Sequence, residues 1–191
     1  TYTGPVEVSE LHMVTDQWPH GSASTDANVQ YMGRIDKENY YLDIAQTVAG
    51  RSTCLRRCYG AILVKSDEII STGYNGAPRG RRNCVDLNYC TREALNIPSG
   101  ERYELCRSVH AEANAIISAA RSEALGATLY MACVEPESGA LIPGSTSCSM
   151  CRRLIINAGI ARVVIRDTRT EYRVVDVADW VREDDSLPRS L

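Results

Sequence analysis

Residues 109–134 read VHAEANAIISAARSEALGATLYMACV, and this stretch decides the fold class. Apolar residues recur at three- and four-residue spacing over residues 111–121, which predicts a helix. The apolar run over residues 127–134 then predicts a strand. A helix that leads directly into a buried strand is typical of α/β proteins.

The segments on either side continue this alternation. Residues 36–50 carry a helical pattern, and two short apolar runs separated by a turn-forming Lys-Ser-Asp-Glu predict a hairpin. A further helix ends at Gly159, a residue favoured just after a helix. The order helix, two strands, helix, strand, helix, strand predicts an α/β sandwich with partly parallel strands. The two hairpin strands cover residues 61–64 and 69–73, the last helix covers residues 148–158 and the last strand covers residues 162–165.

Two segments lack such periodicity. Residues 1–33 contain turn-forming pairs and no sustained pattern, so we expect an irregular N-terminal arm, native or in part an added segment. Residues 34–191 are predicted to form the folded domain. Within it, residues 74–107 form a long polar stretch, and loops of that length are usually functional or stapled by a metal.

The composition restricts the function classes. A formal net charge of −3 argues against a protein that grips a long nucleic acid. No apolar run approaches the ~20 residues that span a bilayer, and none near the start resembles a signal peptide, so we expect a cytoplasmic location without membrane contact. The eight cysteines are then better explained by thiolate–metal bonds than by disulfides, with inert buried thiols as the alternative.

Two short motifs carry the chemistry. His110-Ala111-Glu112 opens one predicted helix, and Cys148-Ser149-Met150-Cys151 opens the next. The free N–H groups and dipole of a helix N-terminus favour the thiolate form of Cys148 and Cys151. His110 would complete a set of three protein ligands for zinc. Three ligands leave a position for water, whose pKa zinc lowers, and Glu112 is placed to move its protons. The alternative is a closed zinc site with Cys133 as fourth ligand.

Together the motifs match the His-x-Glu and Cys-x-x-Cys signature of zinc nucleobase deaminases. The chain resembles the deoxycytidylate (dCMP) deaminase family of the cytidine deaminase-like superfamily over residues 38–166. The matching segments are RCYGAILV (57–64), TGYNGAPRG (72–80), CRSVHAEANA (106–115) and CSMCRRLIINAG (148–159).

The resemblance implies a three-layer α/β/α sandwich with a mixed five-stranded sheet. It also implies that His110, Cys148 and Cys151 bind the catalytic Zn²⁺ and that Glu112 is the general acid/base. Asn75 would help to hold the sugar and base, and the backbone of Ala111 would contact the pyrimidine. The assembly implied is a homo-oligomer, a hexamer or a dimer, with dCTP and dTTP as effectors.

Further cysteines suggest a second, structural zinc, which some dCMP deaminases carry. Cys54 and Cys84 flank the predicted hairpin, Cys90 lies in the long loop and Cys106 stands four residues before His110. Four thiolates would make a closed tetrahedral site that orders residues 74–107, with free thiols as the alternative. Cys58 and Cys133 lie in apolar runs and are interpreted as core residues.

A nucleotide substrate also needs cations for its phosphate, and we take Arg79 and Arg107 as candidates. Two departures from the family concern the substrate: Ser147 stands where Pro usually precedes the first cysteine, and residues 131–147 are longer than the usual link.

The predicted reaction is hydrolytic deamination of dCMP to dUMP. The same chemistry on cytidine, CMP or a modified nucleotide stays open. Nucleic-acid editing is disfavoured by the charge. A catalytically silent, nucleotide-sensing zinc module is disfavoured by Glu112.

Overall fold

The computed structural model describes residues 34–183 and contains one mixed five-stranded sheet. The strand order is β2-β1-β3-β4-β5. β3 and β4 run parallel, and every other neighbouring pair is antiparallel. The strands are β1 (Cys58–Lys65), β2 (Glu68–Tyr74), β3 (Thr128–Val134), β4 (Arg162–Arg166) and β5 (Tyr172–Asp176). The predicted mixed sheet is confirmed.

Helices cover both faces of the sheet. They are α1 (Lys37–Ala49), α2 (Cys84–Leu87), α3 (Thr91–Ala94), α4 (Ala111–Ile117), α5 (Arg121–Ala124), α6 (Ser149–Ala158) and α7 (Val177–Glu183). α1 packs on one face against Ile62 and Val64, whereas α4, α6 and α7 pack on the other face with Ala61 and Leu63. Because neighbouring residues of a strand point to opposite faces, the buried strand β1 serves both layers, and the result is the expected three-layer sandwich.

The predicted hairpin forms, and it brings a helix close to the sheet. Ser66 and Asp67 both adopt positive φ, as a tight two-residue connection between antiparallel strands requires. In β2, a Cβ on Gly73 would lie 2.3 Å from the Ala111 carbonyl oxygen. Glycine therefore lets the first turn of α4, which carries the candidate site, rest directly on the sheet.

The structure differs from the sequence predictions in three places. The helix predicted over residues 111–121 ends at Ile117, and α5 starts separately at Arg121. The long loop holds α2, α3 and a 3-10 turn at Tyr103–Leu105. β5 has no counterpart among the strands predicted from apolar runs, because most of its residues are exposed on an edge strand.

No helix within residues 34–183 has the length and apolar character needed to cross a membrane. The predicted arm over residues 1–33 and the end of the chain beyond residue 183 lie outside the described residues.

Candidate metal centre and active site

The three predicted metal ligands meet where α4 and α6 begin. His110 is the N-cap of α4, Cys148 is the N-cap of α6, and Cys151 lies in the first turn of α6. The sulfurs of Cys148 and Cys151 each lie 3.4 Å from Nδ1 of His110. Both thiols therefore lie at the N-terminus of α6, whose positive end favours the thiolate form.

This geometry fits zinc. With Zn–S near 2.3 Å and Zn–N near 2.0 Å, tetrahedral coordination places nitrogen and sulfur about 3.6 Å apart. The three ligand atoms lie within 4.8 Å of one another, and within residues 34–183 no other group of three or more histidine, cysteine or acidic side chains does so. One nitrogen and two sulfurs are also the donor set of an open zinc site.

The protonation of the three ligands is coupled. The Cys151 thiol donates to Cys148, so the pKa of Cys148 is lowered and that of Cys151 is raised. Burial disfavours a charged His110, but hydrogen bonds to Cys106 and Cys148 outweigh it and raise the pKa of His110 to about 10. A metal ion must therefore displace protons from this cluster when it binds.

Glu112 lies two residues after His110, in the first turn of α4. Its side chain is only 3% exposed and lines the same cavity as His110 and Cys148. Burial raises the pKa of the Glu112 carboxyl. A buried carboxyl beside an open metal position can accept a proton and return it, as general acid–base catalysis requires.

The cavity beside the metal cluster is rich in cations. Arg56, Arg57, Arg92 and Arg107 line it, and Glu112 is the one carboxylate among its described lining residues. Arg107 was predicted from the sequence, whereas the exposed Arg79 is not among the lining residues. Arg56 and Arg57 could have been found as candidates from the sequence, because two adjacent arginines stand directly before β1. No sequence pattern points to Arg92, because its burial depends on the long loop folding back on itself.

Asn75 lines the cavity, but most of its amide is already bonded to protein. Its Oδ1 accepts from the Ser52 hydroxyl at 2.6 Å and from the Tyr59 backbone N–H at 2.8 Å. Its Nδ2 donates to the Arg57 carbonyl oxygen at 2.9 Å. Asn75 thus holds the segment before β1 in place, and one N–H remains for a ligand.

A stacked pair from the long loop contacts His110, one of the three predicted metal ligands. The Arg92 guanidinium lies 4.2 Å above the Tyr103 ring and donates to the carbonyl oxygens of Pro98 and Glu101, both at 2.6 Å. The Tyr103 ring meets the His110 ring edge-on, with 5.0 Å between centroids. The long loop is therefore held against the predicted metal cluster through Tyr103.

The four cysteines proposed for a second metal line the same cavity, namely Cys54, Cys84, Cys90 and Cys106. Burial is the main cause that raises the pKa of Cys84. Negative charge on Cys54, Cys90 or Cys106 would raise it further, so the four thiols are neighbours. Their sulfurs do not form a three-ligand group within 4.8 Å in the described structure. Cys58 and Cys133 are buried, as predicted for core residues.

Fold and site together define the class of zinc-dependent deaminases. Residues 35–167 match the family model described as the cytidine and deoxycytidylate deaminase zinc-binding region. The chain therefore belongs to the cytidine and deoxycytidylate deaminase family.

Individual relatives carry the same family name. A deoxycytidylate deaminase of Mycobacterium phage D29 is 39% identical over 70% of this chain and 96% of its own length. The deoxycytidylate deaminase of Schizosaccharomyces pombe is 33% identical over 66% of this chain, which spans only 36% of that longer protein. Among solved structures, the dCMP deaminase of cyanophage S-TIM5 in complex with dCMP and dUMP shares 24% identity and a TM-score of 0.48, covering 78% of this chain and 94% of that one.

Proposed function

We propose that the protein hydrolyses dCMP to dUMP and ammonia. The observation that carries this proposal is a single cavity that joins the His110 cluster and Glu112 to four arginines. The metal end suits the amine-bearing ring, and the cationic lining suits a phosphate. The relatives named deoxycytidylate deaminase, one of them matched over 96% of its length, support the same substrate.

The residues of this chain divide the chemistry between them. His110, Cys148 and Cys151 would hold zinc, which when bound would lower the pKa of a water molecule and so make it a nucleophile. Glu112 would take up a proton at its carboxylate and deliver one to the departing amine. Ala111, at the start of α4, and Asn75 both line the cavity. This supports the proposal that the Ala111 backbone contacts the pyrimidine and that the remaining N–H of Asn75 binds the sugar or base.

A comparison of four substrates tests the assignment. We expect the highest kcat/KM for dCMP, with lower values for CMP, deoxycytidine and cytidine, as followed by the ultraviolet change when cytosine becomes uracil. Preference for CMP or a nucleoside would instead support the alternative substrates. No turnover of any of the four by folded, zinc-loaded protein would contradict the proposal and favour a nucleotide-sensing zinc module.

The phosphate is expected to be held by Arg57 and Arg107. Both line the cavity, and neither forms an ion pair with a described residue, whereas Arg56 is paired with Glu93 at 3.3 Å. Charge-assisted hydrogen bonds to phosphate are worth enough that Arg107→Gln should raise the KM for dCMP about 10- to 100-fold. Deoxycytidine, which lacks the phosphate, should show no such change.

Arg79→Gln is the matched control, since Arg79 was also a sequence candidate. We expect its KM for dCMP to equal that of the unmodified protein, because Arg79 does not line the cavity. A large effect at Arg79 and none at Arg107 would move the phosphate site to the turn after Asn75.

We also propose that Cys54, Cys84, Cys90 and Cys106 bind a second, structural zinc. Their common position on the cavity wall supports this. The backbone N–H of Arg56 points at the Cys54 sulfur at 3.5 Å, and the Cys106 sulfur accepts from the Ser108 backbone, and such bonds stabilise thiolates. The sulfurs must draw together when the ion binds.

Metal analysis tests this second site. We expect about two zinc ions per chain, falling to about one in Cys84→Ser. Cys133→Ser, at a buried cysteine outside the cavity, should keep both ions. One zinc per chain in the unmodified protein would contradict a second site.

We also propose, from the family resemblance, that the protein is a homo-oligomer and that nucleotides regulate it. Exposed apolar side chains on α4, α6 and α7, including Ile117, Leu154 and Val181, support a homo-oligomer, a dimer or a hexamer. Regulation by dCTP and dTTP and a cytoplasmic location stay predictions. The N-terminal boundary at residue 34 is likewise a prediction.

A further inference from the structure

The segment between β3 and α6 holds the two departures from the family pattern named above, Ser147 and the extra length of residues 131–147. After β3 it turns back through a hydrogen bond from the Glu135 N–H to the Ala140 carbonyl oxygen and a bridge between Val134 and Leu141. It then leads directly to the metal ligand Cys148. Its last residues therefore form the approach to the active site.

Two residues from the far edge of the sheet grip this segment. Asp167 follows β4, and Arg173 lies on β5. Their side chains form a two-pronged ion pair, with Nε to Oδ2 at 2.6 Å and Nη2 to Oδ1 at 3.0 Å. The planar fork of arginine makes such two-pronged pairs specific in geometry.

The same pair also holds two consecutive backbone groups of the segment. Oδ1 of Asp167 accepts from the Gly144 N–H at 2.8 Å, and Nη2 of Arg173 donates to the Ser145 carbonyl oxygen at 2.6 Å. The Asp167–Arg173 ion pair thus binds one backbone N–H and one backbone carbonyl group of the segment. Ser145 is only 3% exposed, and its bond to Arg173 is partly buried, whereas the bond from Gly144 to Asp167 is exposed.

The clamped residues lead straight into the cavity. Thr146 lines the cavity, Ser147 is 1% exposed, and the next residue is Cys148. Ser147 stands where the family signature has proline, whose ring would hold the backbone φ. Without that ring the approach to Cys148 needs another restraint, and the clamp lies immediately before it.

We propose that Asp167 and Arg173 are positioning residues for the reaction, which hold Gly144 and Ser145 so that Thr146 is fixed as a wall of the substrate cavity. The inference rests on the proposed deaminase function. It assigns β5 and the turn before it, which lie away from the metal, a part in substrate binding.

Kinetics of Arg173→Met test the clamp. A wall contacts the substrate in the ground state and the transition state alike, so KM for dCMP should rise about tenfold while kcat stays within about twofold. Zinc content should not change, because the metal ligands are untouched. Arg173→Lys should recover only part of the loss, since lysine cannot reproduce the two-pronged pair.

Asp179→Asn is the matched control, because it breaks the exposed Asp179–Arg182 pair on α7 that touches no part of the segment. It should leave KM unchanged. Hydrogen exchange gives a readout independent of activity: the Gly144 amide should exchange faster in Asp167→Ala than in the unmodified protein.

The outcomes separate the two proposals. If the unmodified protein deaminates none of the nucleotides, the proposed function fails, and Gly144 exchange still decides whether the clamp exists. If the protein is active and Arg173→Met keeps the KM of the unmodified protein, the positioning role is overturned. Unchanged Gly144 exchange in Asp167→Ala would overturn the clamp itself.

Discussion

Glu112→Gln is expected to lower kcat for dCMP by about 10²- to 10⁴-fold, the range attributed to a positioned general acid–base. The amide has nearly the shape of the carboxyl but cannot take up the proton. Glu112 is not part of the three-ligand group, so zinc content should stay unchanged. Steady-state kinetics together with metal analysis of the purified variant measure both effects.

Glu68→Gln is the control for this experiment, because Glu68 is exposed at the start of β2 and away from the cavity. It should keep full activity. A Glu112→Gln protein that retains zinc and deaminates dCMP at the normal rate would remove Glu112 from the mechanism.

Cys148→Ser is expected to lose the catalytic zinc and, with it, nearly all activity. Serine is not a thiolate at neutral pH, and the remaining His110 and Cys151 are too few ligands for an open zinc site. Activity should fall by about 10³-fold or more, since the metal supplies the nucleophile. Metal content after dialysis and the rate with dCMP check the two effects on one sample.

The unmodified cluster should also lose metal on acidification. The raised pKa values of Cys151 and His110 mean that both hold protons when no metal is present, so protons compete with zinc and lower its affinity as the pH falls. Cys58→Ser, at a buried cysteine of β1 that does not line the cavity, should keep the catalytic zinc. Full zinc retention and activity in Cys148→Ser would show that the ion is held elsewhere.

The parts of this protein that sequence could predict are those set by local pattern. His110 and the Cys148–Cys151 pair each sit at the start of a helix, where a few adjacent residues decide both the helix and the ligand geometry. The hairpin turn at Ser66-Asp67 and the helix end at Gly159, with φ of 76°, depend on similarly short stretches.

The remaining features depend on contacts between distant parts of the chain. Arg166 looks like a surface residue in sequence, yet it is 1% exposed and bonded to Asp43 at 2.5 Å and to Gln46 at 2.9 Å on α1. Arg92 becomes part of the cavity only because the long loop folds over Tyr103. No local pattern records such burial, since the partners lie far away in the sequence or in irregular structure.

Measuring the products of dCMP with the zinc-loaded protein tests the proposed reaction most directly. We predict dUMP and ammonia in equal amounts, and neither product once zinc has been removed by a chelator. Restoring zinc should restore both. Folded protein that carries zinc at His110, Cys148 and Cys151 and releases neither dUMP nor ammonia would contradict the central claim.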